Sequence, residues 1–191
     1  MRWVRYILMN GNENKKGLKI RTLALELMAF VLLLVLDIMT KLQAVRTLQG
    51  RDDVILIPGT LQLHYLENRG AAFGMLQGQQ SFFLVIGLAF MFAAAWFLIK
   101  LPADKKYAAI RAVIVAVSAG AAGNLIDRAR MGYVVDFIYF SLIDFPVFNV
   151  ADIYVTVGTF VAFILVLFVY KEDEGPGAFE GCPGEDKGGG I

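Results

Sequence analysis

The chain has 191 residues, 58% of them hydrophobic and 18% charged, with a mean hydropathy of +0.61. A soluble domain carries about 45–50% apolar and about 25% charged residues, so this composition excludes an ordinary water-soluble protein. Net charge is +1 and Cys182 is the single cysteine, which leaves no bulk field to attract nucleic acid, no internal disulfide and no CxxC motif.

Residues 1–21 are polar and basic, and residues 1–19 have no helical or strand period of their own; Met9 is a candidate downstream start. The first membrane span is predicted over residues 22–42, with Glu26, Asp37 and Lys41 inside it and only residues 27–36 free of charge. A cleaved signal sequence would end in small residues, whereas Asp37, Thr40 and Lys41 follow the apolar run, so the segment reads as a retained helix. Residues 54–66 are β-branched and aromatic around a Pro58-Gly59 turn, the pattern of two short strands. Residues 81–99 hold no charge, and 19 residues at 1.5 Å each give a helix of roughly 28 Å, the thickness of a hydrocarbon core. The third span, 107–126, has Arg111 one turn from its start, where a long side chain can snorkel to the headgroups. The fourth, 153–170, is uncharged, and the acidic, Gly-rich tail, 171–191, is compositionally disordered, with Cys182 inert within it. The expected fold is an all-α membrane protein: four transmembrane helices with a small extracytoplasmic β element over residues 22–170, between a basic extension and the tail.

Twelve of the 18 Lys and Arg residues fall on the side that holds both termini, and six on the other. Cytoplasmic segments carry the excess, so both termini are expected inside. Asp37, Lys41, Asn68, Asn124, Asp127, Arg128, Asp136, Asn149 and Asp152 then gather at one depth near the outer leaflet. Each charge within a span costs about 2.5–3.5 kcal/mol on insertion scales, so a group of them marks a protein-lined polar site.

The chemistry open to that site is narrow. One histidine, His64, most simply a loop residue, and three serines offer neither a Ser/His/Asp triad nor a multi-His metal site. Carboxylates remain: two held close share a proton, so that one activates water while the other hydrogen-bonds the carbonyl under attack. Asp37 and Lys41, four apart on a helix, can pair on one face, which Glu26 shares from three turns earlier. Asp127 beside Arg128 fits an ion pair closing a helix. Asp136 lies in an external loop within an apolar stretch, and Asp152 opens the last helix; each also fits a helix cap or a loop charge.

Five segments occur in order: Asp37-Ile38-Met39-Thr40-Lys41, Asn68-Arg69-Gly70-Ala71-Ala72-Phe73-Gly74, Gly123-Asn124-Leu125-Ile126-Asp127-Arg128, Val135-Asp136-Phe137-Ile138 and Phe148-Asn149-Val150-Ala151-Asp152. Together they resemble the bacterial lipoprotein signal peptidase (signal peptidase II) family, aspartyl proteases of the inner membrane. The resemblance implies that Asp136 and Asp152 are the catalytic pair. It also implies that Asn68, Asn124, Arg128 and Asn149 position substrate backbone and dyad, and that Asp37, Lys41 and Asp127 support the site. It implies a diacylglyceryl-modified prolipoprotein substrate cut just before its lipidated cysteine, contact with membrane lipids, action as a monomer, and no metal or organic cofactor. Ala119 departs from the glycine of many members, and Glu26 belongs to none of the motifs. A four-span transporter is the rival reading, but it needs polar residues through the full thickness, and residues 81–99 and 159–170 line no such path.

Overall fold

The computed structural model describes residues 2–70 and 78–169. The order is α1 (Arg2–Leu48), β1 (Val54–Ile57), β2 (Leu61–Asn68), α2 (Gln80–Lys100), a 3-10 turn at Lys105–Tyr107, α3 (Ala108–Met131), β3 (Val134–Phe140), a second 3-10 turn at Ser141–Ile143 and α4 (Val150–Ile164), extended by a π turn at Leu165–Val169. Among the described residues four segments are long and apolar enough to cross a bilayer: Gly17–Leu48, Gln80–Lys100, Lys105–Met131 and Val150–Val169. Each contains one of the predicted spans, except that Tyr170, like the tail with Cys182 and the Ala71-to-Gly74 stretch, lies outside the described residues. Leu25, Leu32, Phe92 and Phe160 stand exposed along these helices, an apolar surface suited to the interior of a bilayer. α1 begins at Arg2, so the segment without a period of its own continues the first helix.

α3 packs against each of the other three helices. Its buried positions include Ser118, Ala119, Gly120 and Gly123, small residues that let backbones approach. A Cβ at Gly120 would lie 2.5 Å from the carbonyl oxygen of Ala151, and one at Gly158 of α4 would lie 2.5 Å from Val117 Cγ2. α3 therefore holds the start of α4 at near backbone contact. The helix stops at Gly132, whose φ of +77° allows its N–H to reach the Arg128 carbonyl at 3.0 Å.

Arg111 departs from the snorkelling expectation: it is 2% exposed. Its Nε and Nη2 donate to the two Glu26 oxygens at 2.6 and 2.7 Å, and Nη1 donates to the carbonyls of Leu98 and Leu101 at 2.9 and 2.7 Å. One guanidinium thus binds α1 bidentately and satisfies carbonyls at the end of α2, where a helix leaves acceptors unpaired. Glu26 shares a helical face with Asp37 but serves this separate joint. Arg111→Met leaves the part-buried Glu26 unpaired and is expected to cost about 3 kcal/mol, most of it recovered in Arg111→Met/Glu26→Leu; thermal unfolding in detergent checks both.

The three strands form one antiparallel sheet in the order β1-β2-β3. Two strands between α1 and α2 match expectation. The third does not: Asp136 lies on β3, opposite Leu66, rather than in a loop. Val134 to Phe137 are all buried, so β3 lacks the alternation that marks a half-exposed strand. Val135 and Phe137 pack on Ala44 and Leu48, which seats the sheet on the end of α1. His64, read as a loop residue, is on β2.

Candidate active site

The site is assembled around one buried lysine. Lys41 Nζ lies 2.9 Å from Asp37 Oδ2, one turn away on α1, 3.0 Å from Asp127 Oδ2 on α3, and donates to Asn124 Oδ1 at 2.8 Å. One hydrogen bond, to Asn124, and two close ionic contacts, to Asp37 and Asp127, thus meet at one ammonium. The two carboxylates pass the constraint on: Asp37 Oδ1 accepts the Ala151 N–H at 2.9 Å and Asp127 Oδ2 the Val135 N–H at 3.4 Å. Asp127 is thus paired with Lys41 of α1 in place of a neighbour on its own helix. Gly123 leaves room for this, since a Cβ there would collide with the Asp37 carboxylate.

Lys41 also orients Asn124. With its oxygen turned to the ammonium, the Asn124 amide donates through Nδ2 to Asp152 Oδ1 at 2.8 Å. Asn149, fully buried, is the N-cap of α4: its Oδ1 accepts the Asp152 N–H at 3.0 Å, while Asp152 Oδ2 accepts the Asn149 N–H at 3.1 Å. This capping box explains the fourth helix start and leaves Asp152 both a cap and a site residue. The Asn149 Nδ2 is free of the cap and donates to Asp136 Oδ1 at 2.6 Å and Asn124 Oδ1 at 3.2 Å. Asn68 Nδ2 donates to Asp136 Oδ2 at 2.8 Å, and Asn68 Oδ1 accepts the Gly70 N–H at 2.9 Å. The two aspartates are therefore bridged by a pair of asparagines.

Arg128 closes the ring: it donates to the carbonyls of Asn124 at 3.3 Å and Gly70 at 3.1 Å, and its guanidinium lies 4.7 Å from the Phe83 ring centre. All nine residues singled out in the sequence thus fall in one region. Asn68, Asn124, Arg128, Asp136 and Asp152 line a cavity of about 960 Å³, while Asp37, Lys41, Asp127 and Asn149 lie behind its wall. Asp136 is 1% exposed, and its carboxyl is pushed up to about 7. Burial is the main cause and the nearby Asp152 charge the second, against the Asn68 and Asn149 hydrogen bonds and the Lys41 charge, which oppose them.

The fold agrees with solved proteins. A bacterial membrane enzyme structure superposes with a TM-score of 0.69 at 31% identity, covering 80% of this chain and 93% of that one. A family described as "Signal peptidase (SPase) II" matches residues 29–168. The chain belongs to the signal peptidase II family. Curated relatives include lipoprotein signal peptidases of Clostridium tetani, 38% identical over 78% of this chain and 94% of that protein, and of Caldanaerobacter subterraneus, 44% identical over 76% and 97%. All nine site residues lie inside the matched range. As a member of this peptidase family the chain is a hydrolase and a multi-pass membrane protein.

The cavity also has walls that the sequence did not signal. Asp53, His64, Tyr139 and Asp144 line it together with the dyad. They come from four places in the chain and carry no spacing that announces a site.

Proposed function

We propose that this signal peptidase II family member is an aspartyl endopeptidase that removes the signal peptide from diacylglyceryl-modified prolipoproteins, cutting just before the lipidated cysteine. The observation that carries the reading is the pair Asp136 and Asp152, bridged by Asn124 and Asn149 at the edge of a cavity. At neutral pH the pair holds one proton, favoured on buried Asp136. Asp152 sits in the first turn of α4, where the helix dipole favours negative charge. Water adds to the scissile carbonyl carbon, giving its proton to Asp152 while Asp136 gives its own to the carbonyl oxygen. In the second step one hydroxyl of the diol returns a proton to Asp136, Asp152 protonates the departing amine, and the C–N bond breaks. Both carboxyls end as they began.

The chain is proposed to sit as a monomer in the bacterial inner membrane with both termini cytoplasmic and the site at the outer leaflet, following the excess of basic residues on one side. Residues 1–21 form the basic extension, 22–170 the peptidase and 171–191 the tail. A lipidated cysteine anchors the scissile bond at the depth of the dyad, and the signal helix lies in the bilayer beside the four spans.

The test is cleavage by purified protein of a diacylglyceryl-modified prolipoprotein and its unlipidated precursor. Cut at the lipidated cysteine and no cut in the control is expected; a folded protein that leaves both intact overturns the reading. The pH profile follows from Asp136. Catalysis needs its proton, so kcat/KM, which reports groups of the free enzyme, is expected to fall about tenfold per unit as pH rises above about 7, measured at substrate well below KM.

A further inference from the structure

The cavity that holds the dyad continues along the sheet to a polar mouth. His64, Leu66, Glu67 and Asn68 of β2 all line it, beside a register shift between Leu63 and Leu66. On β3, Asp136 pairs with Leu66 and Tyr139 with Gln62. Three residues of extended strand span roughly 10 Å, so the mouth at Tyr139 is about three residues of extended peptide from the dyad.

Two hydrogen-bonded carboxylates flank that mouth. His64 Nδ1 is 2.7 Å from Asp53 Oδ1, and the Tyr139 hydroxyl donates to Asp144 Oδ1 at 2.6 Å. The His64 and Tyr139 rings are neighbours, 6.2 Å between centres. The cations lining the cavity are engaged elsewhere: Arg69 lies 3.3 Å from Glu67, and Arg128 is held on two backbone carbonyls beside the dyad. Asp53 and Asp144 therefore give the mouth an excess of negative charge within the same cavity that takes the substrate. The other end is different in kind, with Ile153 and Val157 of α4 on its wall. An apolar signal helix fits that end, whereas unmatched carboxylates do not belong against hydrocarbon. The acidic mouth faces the chain that leaves the membrane.

We infer that the Asp53 and Asp144 mouth is a specificity subsite that favours a basic residue among the second to fourth positions after the scissile bond. This rests on the peptidase reading of the dyad. Rim charges on a binding surface act through complementarity with the partner, so substrates that differ by two charge units, Lys against Glu, separate by about three- to tenfold.

The experiment uses the full chain and three synthetic diacylglyceryl lipopeptides, alike except for Lys, Ala or Glu at the third position after the cut. Wild type is expected to show a KM for the Lys peptide about three- to tenfold below that for the Glu peptide, with Ala between. In Asp53→Asn/Asp144→Asn the ratio is expected to fall below about twofold, and high salt is expected to shrink it in wild type. The ratio is taken within each protein, so a loss of folded enzyme cancels. Equal KM values in wild type, or a ratio that survives in the double variant, would overturn the subsite while leaving the peptidase standing. A folded wild type that cuts none of the three overturns both.

Discussion

Asp136→Asn and Asp152→Asn are each expected to lower kcat by about 10²–10⁴-fold, the range that general acid–base groups supply, and the double variant is expected to fall no further than the worse single one. The last point is the sharper, since two carboxyls that pass one proton between them act as a unit. Asparagine is the right probe because it preserves shape. At position 152 its oxygen can still accept the Asn149 N–H, so α4 keeps its cap; alanine would forfeit about 1 kcal/mol of capping and blur the result. Stability gives a second readout at Asp136. Burial raises its folded pKa to about 7, so the native state holds a proton that the unfolded chain releases near 4. The native state binds more protons over that interval, and wild-type stability therefore falls as pH rises from about 4 to about 7, then levels. Asp136→Asn removes this decline. Melting curves against pH in detergent show it, and a parallel decline in both proteins would contradict the assignment.

Lys41→Met has the other large effect, on the fold and through it on the site. It strips the ion-pair partner that Asp37 and Asp127 share and frees the Asn124 oxygen that the ammonium holds. Leaving a buried charge unpaired costs about 3–5 kcal/mol, and with two carboxylates the upper end, about 5 kcal/mol, is expected. Lys41→Met combined with Asp37→Asn and Asp127→Asn regains part of the stability, because no buried charge is then stranded. It does not regain activity, because Asn124 has lost the contact that turns its Nδ2 toward Asp152. Stability and turnover measured on the same preparations separate the two roles. A triple variant as active as wild type would show that Lys41 only balances charge.

The four spans were legible in the sequence because a bilayer imposes a simple demand: about 20 apolar residues with every backbone bond satisfied internally. The candidate pair Asp136 and Asp152 was legible as two aspartates in an apolar setting, within five motifs in order, and the structure brings both to one cavity. Asp152 at the start of α4 was readable from Asn149, since an Asn followed three residues later by an acid is a local capping signal. Locally determined features were read well.

Features set by distant residues were not. Arg111 looked like a snorkelling side chain because its partner, Glu26, lies 85 residues away on another helix. β3 was read as a loop because its strand character comes from pairing with β2 and burial against α1, not from its own pattern. His64 was read as a loop residue and Asp53 drew no attention, yet the sheet brings them to the cavity that Asp136 and Asp152 line. Sequence by itself determined the number of spans, the candidate acids and the direction of the charge bias, because hydropathy, local capping and charge are properties of neighbours in the chain. Only the tertiary structure decided which carboxylate meets which donor. That choice depends on small residues such as Gly120 and Gly123 letting helices approach, and on a single buried lysine whose charge gathers Asp37, Asp127 and Asn124 around it.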